Sequence, residues 1–447
     1  MNAKPLSLFA DVEPERASFR DSAFTENRAA PLHRWTPWVA GFSAAFVAGC
    51  LDRYLPQSAA SGATVLDPFA GVGTTLVEAY RRGHNAVGFE INPYAALVTR
   101  AKLEVPEMDL AQLDFWLHAF RHALRDAVAR NADPPWRPPA GFRSRVPFFS
   151  PDIQRQALLV LGFIRGLADR RLRDLFLVAF ASVMVSFSNY SYEPSLGSRP
   201  GSGKPLITDA DVPEIVAARI SEMVHDCRTI HDEMKRVGRI GSRVVHDASF
   251  FCAERYLAGS SVDLAVTSPP YLNNYHYVRN TRPHMFWLDL VAESADLKGI
   301  EEANFGQFWQ TVRARPRMDL AFAMPELEEV LDLVRAAHPE KGVYGGRGWA
   351  NYAVQYFNDA DRFARSLAYA LKPGGRCVVV IGNSVLQGVE VRVDEFLVRI
   401  ADRHGLRCDG IHLLRTKRVG NSIIRSSVRN AAASAVSLYE VAVILRR

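Results

Sequence analysis

The stretch GATVLDPFAGVGTTLVEAYRRGHNAVGFEINPYAALVTRAKL, residues 62–103, decides the fold. A short apolar strand at 64–66 runs into the glycine-rich turn DPFAGVGTT, and a helix follows from 76 to 82. Residues 86–91 form a second apolar strand, and residues 93–102 form a second helix. This order of strand, turn, helix, strand and helix predicts an α/β protein with a doubly wound, mostly parallel sheet.

The glycine-rich turn is a candidate ligand loop. Gly71 and Gly73 stand between a strand and a helix, where glycine lets the backbone approach a ligand and the helix N-terminus offers free N–H groups. Glu90 ends the next strand, at the distance where an acidic side chain binds ribose hydroxyls. The turn lacks the Gly-Lys-Ser/Thr of a P-loop and the third glycine of a dinucleotide loop. Asp67 would repel a pyrophosphate and suits a cationic or amino-acid-bearing ligand. An ordinary tight turn is the alternative.

A second unusual stretch is DLAVTSPPYLNNYHY, residues 263–277. A predicted strand at 262–267 stops at Ser268, Pro269 and Pro270, because neither proline can donate a ladder hydrogen bond. Such a turn presents hydrogen-bond acceptors, and Tyr271 adds a flat wall. The pattern indicates a pocket for a flat ring, with a surface loop as the alternative.

Composition gives broad limits. The chain has 447 residues, is 48% hydrophobic and carries a formal charge of +6, which suits a globular protein and permits an acidic polymer as partner. Its five cysteines are scattered without CxxC spacing, so a zinc site or disulfide framework is not expected. The N-terminus has no signal-peptide pattern, and the apolar stretch at 38–51 is too short to span a bilayer.

The domain organisation predicted from the sequence is a catalytic domain interrupted by two insertions. Residues 1–32 are predicted to form a loosely ordered arm. The catalytic domain comprises 33–103, 241–291 and 349–447. Residues 104–240 form a helical insertion that could recognise the target, and 292–348 form a second insertion.

Five motifs together resemble those of the S-adenosylmethionine-dependent DNA amino-methyltransferases, which methylate cytosine N4 or adenine N6. LDPFAGVGTT resembles the cofactor loop, TSPPY the catalytic motif, and HRWTPWVAGFS the motif flanking the methionine end of the cofactor. GFEINP and VVHDAS resemble two further cofactor motifs. The resemblance implies a Rossmann-like class I methyltransferase fold. That fold has a seven-stranded, mostly parallel sheet with a C-terminal antiparallel hairpin, and here it carries helical insertions.

The resemblance also implies a set of site residues. Ser268, Pro269, Pro270 and Tyr271 would be catalytic: the serine hydroxyl and the Pro269 carbonyl accept from the amine, and Tyr271 stacks on a flipped base. Packing is the alternative role for Trp35, and a helix N-cap is the alternative for Asp247. The residues that would bind S-adenosylmethionine are Trp35, Asp67, Pro68, Phe69, Gly71, Gly73, Thr74, Thr75, Glu90, Asn92, Asp247 and Thr267.

The serine of TSPPY favours cytosine N4 as the methylated atom, with adenine N6 as the alternative. An RNA substrate and a catalytically silent DNA-binding module are more remote hypotheses. Cytosine-C5 chemistry is excluded, because it needs a Pro-Cys nucleophile and the chain has no Pro-Cys dipeptide.

Double-stranded DNA is the expected partner, together with a possible cognate restriction endonuclease, in a prokaryotic cytoplasm. Basic residues in loops are predicted to contact phosphates, with solvated surface charge as the alternative. The residues of this set are Arg199, Lys204, Lys417 and Arg418. No metal is expected.

Overall fold

A seven-stranded sheet organises the molecule. The computed structural model describes residues 24–38, 41, 43–55, 62–192, 196–238, 241–272, 276–417 and 438–447. The strands of the large sheet are β1 (Thr64–Asp67), β2 (Asn85–Phe89), β5 (Arg243–His246), β6 (Val262–Thr267), β7 (Leu371–Gly382), β10 (Arg407–Lys417) and β11 (Leu438–Arg446). Two hairpins lie outside it: β3 (Tyr190–Tyr192) with β4 (Leu196–Ser198), and β8 (Ser384–Leu386) with β9 (Val389–Val391).

The strand order across the sheet is β10-β11-β7-β6-β1-β2-β5. Only β11 runs against its neighbours, since it pairs antiparallel with both β7 and β10. The chain adds strands to one side of β1 and then, from β6 onward, to the other side, so the carboxyl ends of β1 and β6 flank the crevice where open α/β sheets bind ligands. The predicted fold class, including the C-terminal antiparallel pair, is confirmed.

Helices cover both faces of the sheet. Successive residues of β1 point to opposite faces: Val65 joins one buried cluster and Leu66 the other. The helices are α1 (Ala44–Tyr54), α2 (Thr74–Arg81), α3 (Pro93–Leu103), α4 (Leu110–Ala129), α5 (Pro151–Arg165), α6 (Arg170–Val183), α7 (Val212–Val237), α8 (Tyr277–Trp287), α9 (Ser294–Ala303), α10 (Trp309–Val312), α11 (Pro325–Ala336), α12 (Gly346–Ala370) and α13 (Val393–Asp402).

The first insertion packs into the same core as the sheet. Buried residues of α4, α5, α6 and α7 belong to the cluster that also holds α1, α2, α3 and one face of the sheet. On α7, Asp226 is fully buried, and its carboxylate accepts from the Leu32 backbone N–H at 3.0 Å. The described end of the predicted arm, residues 24–32, is therefore docked on the insertion, because Leu32 is itself fully buried.

The second insertion lies on the opposite face. Phe305, Val312 and Leu327 are buried with α12 and α13 in the other cluster. The domain boundaries drawn from the sequence remain a prediction. Among the described residues, no helix is long and apolar enough to cross a membrane.

Candidate active site

The two motif loops meet at one cavity on the carboxyl edge of the sheet. The loop after β1 contributes Pro68 to Val72, and the loop after β6 contributes Ser268 and Pro270. The cavity encloses about 930 Å³ of empty space including its opening, which is within the range for cofactor-sized ligands. Its other walls are formed by Trp38, Gly41, Thr74, Phe89, Glu90, Ile91, Asn92, Ala248, Ser249, Phe250, Phe251, Tyr277, Val278, Ile300, Ala303, Asn304 and Phe305.

Two side chains of α3 hold the glycine loop in place. Gly71 has φ of 52°, in the left-handed region that favours glycine. The Thr99 hydroxyl donates to the Gly71 carbonyl at 2.8 Å, and the buried Lys102 ammonium donates to the Val72 carbonyl at 2.7 Å. A Cβ on Gly71 would lie 3.1 Å from Trp38 Nε1, so glycine keeps open the space between the loop and this indole.

Glu90 connects the loop to the next strand. Its Oε2 accepts from the Gly71 N–H at 2.8 Å, and its Oε1 accepts from the Asn92 N–H at 2.7 Å. Asn92 caps α3, since its side chain accepts from the Tyr94 and Ala95 N–H groups. Burial raises the pKa of Glu90 to about 7, although the two backbone donors favour the ionised form. The carboxylate faces the cavity, where it could accept from two hydroxyl groups.

Asp67, Thr75 and Thr267 lie behind the cavity wall. Asp67 is 1% exposed, and its Oδ1 accepts from the Thr267 hydroxyl at 2.7 Å and from the Phe69 N–H at 3.1 Å. Burial raises its pKa to about 6. The Thr75 hydroxyl donates to the Val266 carbonyl at 3.0 Å. These residues connect β1 and α2 to β6, so they support the site without lining it.

Trp38 lines the cavity, whereas Trp35 does not. Trp35 is fully buried, and its indole N–H donates to Asp226 at 3.0 Å. Trp38 stacks on Tyr277 with ring centroids 5.9 Å apart and an interplanar angle of 20°. Trp35 therefore has a packing role, which was the alternative to cofactor binding. Asp226 on α7 supplies a buried acceptor for its indole N–H group.

Asp247 lies beside the cavity, paired with a cation. Its carboxylate accepts from the Arg100 guanidinium at 2.9 and 2.8 Å, and the Asp247 side chain is 56% exposed. The following residues Ala248, Ser249 and Phe250 line the cavity instead. Gly73 is likewise absent from the lining and packs against Thr99, which a Cβ would approach to 3.0 Å. The predicted cofactor roles of Asp247 and Gly73 remain predictions.

The turn at 268–271, which the sequence predicts to be catalytic, has polar side chains behind it. Ser268 and Pro270 face the cavity, and Pro269 is buried. The Tyr271 hydroxyl donates to Glu440 Oε1 on β11 at 2.6 Å, and Glu440 Oε2 accepts from Arg415 Nε on β10 at 2.5 Å. The turn thus connects three strands of the sheet through side chains.

The predicted DNA contacts are separated in the structure. Arg199 follows β4, where its guanidinium Nε donates to the Pro205 carbonyl at 2.9 Å, and Lys204 is exposed nearby. Lys417 ends β10 on the far side of the sheet. Arg418 lies outside the described residues.

Several lining residues escaped the motif-based prediction. Asn304 and Phe305 come from the second insertion, which matches no motif, and the Phe305 ring contacts Phe69 edge-on at 5.3 Å. Trp38 stands three residues after Trp35 in the same motif, so the two were distinguishable only by packing. Tyr277 packs against Trp38, and it also lines the cavity.

Comparisons with known proteins support the resemblance. Residues 17–100 match the family model described as DNA methylase. The type II methyltransferase M.BsoBI of Geobacillus stearothermophilus is 23% identical over 90% of this chain and 83% of its own length. The type II methyltransferase M.AvaI of a Nostoc species is 22% identical over 91% of this chain and 86% of its own.

A third relative, the type II methyltransferase M.MvaI of Kocuria varians, is 20% identical over 76% of this chain and 74% of its own. Among solved structures, the rRNA methyltransferase aviRa from Streptomyces viridochromogenes aligns with a TM-score of 0.33 and 12% identity, covering 94% of this chain and 92% of that one. The predicted resemblance to the N4/N6 DNA methyltransferases is confirmed by the family model and the type II relatives.

The cavity fits a nucleoside that carries a positive charge. Among the described residues that line it, Glu90 is the one with an ionisable side chain, and none is a lysine or an arginine that could bind phosphates. Phe89, Ile91 and Phe250 give it an apolar wall for a flat ring. Any Cβ at position 71 would fill the space between the glycine loop and the Trp38 indole. Each of these features suits S-adenosylmethionine better than a dinucleotide.

Proposed function

We propose that this chain, a relative of the type II N4/N6 DNA methyltransferases, transfers a methyl group from S-adenosylmethionine to the exocyclic N4 amine of cytosine in DNA. The observation that carries the proposal is the meeting of two loops at one cavity. The glycine loop with Glu90 and the Ser268 turn both line it, at the ends of the adjacent strands β1 and β6. A donor in the cavity would therefore lie beside the acceptors of the turn.

The residues of the turn at 268–271 would position the target amine and interact with it electrostatically. The amine of cytosine is a weak nucleophile because its lone pair is delocalised into the ring. Hydrogen bonds from its protons to the Ser268 hydroxyl and the Pro269 carbonyl would hold the nitrogen in line for attack. The Tyr271 ring would stack on the base, which has to leave the duplex to enter the site.

S-adenosylmethionine supplies an electrophilic methyl group bound to a sulfonium. On the protein side, Glu90 would accept from the ribose hydroxyls, and Phe250 with Ile91 would cover the purine. Trp38, resting on Gly71, would cover the methionine end. The negative charge of Glu90 and the absence of cations in the described lining suit the positive charge of this donor.

The decisive experiment expresses the protein in a host that lacks DNA methylation, digests the host DNA to nucleosides and identifies methylated bases by mass spectrometry. N4-methylcytosine is the expected product. N6-methyladenine would instead support the adenine alternative on the same scaffold. Methylation of host RNA with unmodified DNA would overturn the DNA assignment, and the absence of any methylated base would favour a silent module. Modification-sensitive sequencing of the same DNA would reveal the target site.

Cofactor affinity is expected to depend on pH through Glu90. Since burial raises the pKa of Glu90 to about 7, the carboxylate is protonated below that pH and ionised above it. The ionised form is the better acceptor for two hydroxyl groups, so affinity for S-adenosylhomocysteine should rise by about tenfold from mildly acidic to mildly basic pH. Isothermal titration calorimetry across this range measures it.

The variant Glu90→Gln should show a flatter pH profile after the titration of the ligand itself is subtracted. Asp67, with a pKa raised to about 6, is the nearest alternative source of such a profile. The variant Asp67→Asn serves as its control. A profile that is unchanged in Glu90→Gln and flattened in Asp67→Asn would contradict the assignment.

A basic surface beside the cavity is proposed to contact DNA phosphates. It comprises Arg143, Arg145, Arg199 and Arg282, and within the described part of the chain none of them has a carboxylate within 4 Å of its guanidinium group. Arg282 lies over the Phe142 ring at 5.4 Å, and the Tyr190 hydroxyl donates to the Val146 carbonyl at 3.4 Å, so packing joins the loop around 143–146 to α8 and to the β3–β4 hairpin.

The position of this surface suits a duplex that delivers a base to the cavity. Tyr277 lines the cavity and begins α8, and Arg282 is five residues further along the same helix, about 8 Å along its axis. The Tyr192 hydroxyl donates to the Asn280 carbonyl at 3.2 Å, which holds the hairpin against the same helix. Contacts to the phosphates fix register and orientation and carry no sequence information.

Neutralising three of these arginines should weaken DNA binding in a salt-dependent way. In the variant Arg143→Gln, Arg145→Gln, Arg282→Gln, the slope of log affinity against log salt should fall by about 1 to 3, because each lost phosphate contact removes about 0.9. Fluorescence anisotropy with a labelled duplex measures the slope. Arg228→Gln is the matched control, since Arg228 is paired with Asp114 at 2.6 Å on another surface. An unchanged slope in the triple variant would remove this surface from the interface.

A further inference from the structure

An arginine of the second insertion is enclosed by two aromatic rings. The Cζ atom of Arg313, which directly follows α10, lies 4.5 Å from the centroid of the Trp309 ring and 4.4 Å from that of the Tyr344 ring. The two rings stand at 59° to each other with their centroids 6.0 Å apart, so they enclose the guanidinium on two sides. Cation–π contacts of this kind hold an arginine in place without using its N–H groups. We call these three residues the arginine notch.

The guanidinium of the notch is available to a ligand. Within the described part of the chain it donates no hydrogen bond, and no carboxylate oxygen lies within 4.0 Å of it. Arg313 is partly exposed, and Tyr344 is 60% exposed. By contrast, the Arg315 guanidinium donates to Gln307 at 2.8 Å and to Gln355 at 3.4 Å. An arginine that is held in place but not hydrogen-bonded keeps its five donors for a partner, and its ordering on binding costs little.

The arginine notch has a rigid support. The Trp349 indole of α12 stacks on Trp309, with ring centroids 5.0 Å apart and an interplanar angle of 25°. The segment that follows α10 is fixed to the same helix, since the Asn351 amide donates to the Arg315 carbonyl at 3.0 Å and to the Pro316 carbonyl at 3.1 Å. Asn351 is fully buried. Specific recognition needs side chains whose positions are fixed by packing, and the notch meets this condition.

The arginine notch lies near the cavity. Asn304 lines the cavity, and together with Gln307 it also lines a smaller pocket beside it. The two pockets share Tyr277, the first residue of α8, as well. Trp309 is five residues after Asn304, so the Cα atoms of these two residues are at most about 18 Å apart. Since each base pair adds about 3.4 Å along a duplex, the notch lies within about five base pairs of a base that enters the cavity.

We propose that the arginine notch recognises a guanine of the target sequence, within about five base pairs of the methylated base. This inference rests on the proposed action on DNA. In the major groove guanine presents two acceptors, O6 and N7, and a bidentate arginine is their commonest specific partner. The notch holds the guanidinium in one place, as recognition of a base edge requires. A phosphate contact needs no such support, because a flexible arginine in a loop is sufficient for it.

Selection from a pool of randomised duplexes tests the proposal without any methyl transfer. The protein is incubated with the pool and S-adenosylhomocysteine, and the bound duplexes are sequenced. The duplexes that the unaltered protein binds should contain a guanine at one fixed position. Arg313→Gln has no guanidinium, so it should bind duplexes whether or not they carry this guanine. In competition binding with duplexes that differ only at that position, the preference for guanine should fall by about 10- to 100-fold.

The exposed ring of the notch supplies a second variant. Tyr344→Ala removes a side chain that is 60% exposed, so the fold should tolerate it, and it frees the guanidinium on one side. The preference for the same guanine should fall by about twofold to fivefold, which corresponds to one cation–π contact at an exposed site. Arg403→Gln is the matched control. Arg403 lies over the Phe322 ring at 4.9 Å, but its Nε atom is 3.6 Å from an Asp361 oxygen, so this variant should leave the preference unchanged.

The inference is overturned if the unaltered protein selects no sequence from the pool, or if Arg313→Gln keeps the full requirement for guanine. It is also overturned if Arg313→Gln weakens binding equally for all four base pairs, since that result indicates a phosphate contact. A guanine preference that depends on Arg313 in a protein that methylates no base would support the notch and overturn the proposed methyl transfer. Methylation of DNA with an unchanged preference in Arg313→Gln would support the proposed function and exclude the notch.

Discussion

Replacing Ser268 with alanine should lower the rate of methyl transfer by about 10²- to 10³-fold. The substitution removes the hydroxyl that faces the cavity and leaves the Pro269 carbonyl as the remaining acceptor for the amine protons. Single-turnover transfer of a radiolabelled methyl group to a duplex containing the identified site measures the rate.

Cofactor affinity in Ser268→Ala should stay within about twofold of that of the unaltered protein, because no cofactor contact is assigned to this hydroxyl. Ser186→Ala is a suitable control, since the Ser186 hydroxyl is exposed at the end of α6 and donates to the Val183 carbonyl at 2.6 Å. Normal turnover by Ser268→Ala would exclude the serine from catalysis. A parallel loss of cofactor affinity would instead place it in the cofactor site.

Replacing Glu90 with alanine should weaken S-adenosylmethionine binding by about 10²-fold or more. Two hydrogen bonds to a charged acceptor contribute about 1.5–3 kcal/mol each, and about 1.4 kcal/mol corresponds to a factor of ten. The substitution also releases the Gly71 and Asn92 N–H groups, which Glu90 holds at 2.8 and 2.7 Å. Calorimetric titration with S-adenosylmethionine and with S-adenosylhomocysteine measures the loss.

Asp247→Asn is the informative comparison for Glu90→Ala. Asp247 was predicted from the sequence to reach the cofactor, and in the structure its carboxylate binds Arg100 beside the cavity. If Asp247→Asn changes the affinity for the cofactor little and Glu90→Ala changes it greatly, then Glu90 and not Asp247 is the acid that binds the cofactor. Equal, unchanged affinities in both variants would contradict the cofactor site as a whole.

The local order of elements was predictable because it depends on short-range patterns. The strand predicted at 64–66 is β1 (Thr64–Asp67), and the strand predicted at 262–267 is β6 (Val262–Thr267). At the start of α1, the Ser43 side chain accepts from the Phe46 N–H at 3.1 Å, which is the contact of a helix N-cap. Each signal lies within a few residues of the structure that it predicts, so one sequence was sufficient to read it.

The sequence did not indicate which tryptophan of HRWTPW reaches the cavity. Trp35 and Trp38 have the same side chain in the same motif, and the difference between them comes from Asp226, which is 191 residues away from Trp35 along the chain. Other features also depend on contacts between distant segments. Residues of the second insertion line the cavity, and Glu440, which accepts from the Tyr271 hydroxyl, is 169 residues away from Tyr271 along the chain. No local pattern marks such a contact.

The sequence by itself determined the fold class, the two loops at the carboxyl edge of the sheet and the resemblance to DNA methyltransferases, because these follow from periodicity, glycine and proline chemistry and motif spacing. Only the tertiary structure decided which motif side chains face the cavity and which support it from behind. Asp67 and Glu90 are both acids at strand ends, yet Asp67 is buried against Thr267 while Glu90 faces the cavity. Burial and partner choice are properties of packing between distant segments.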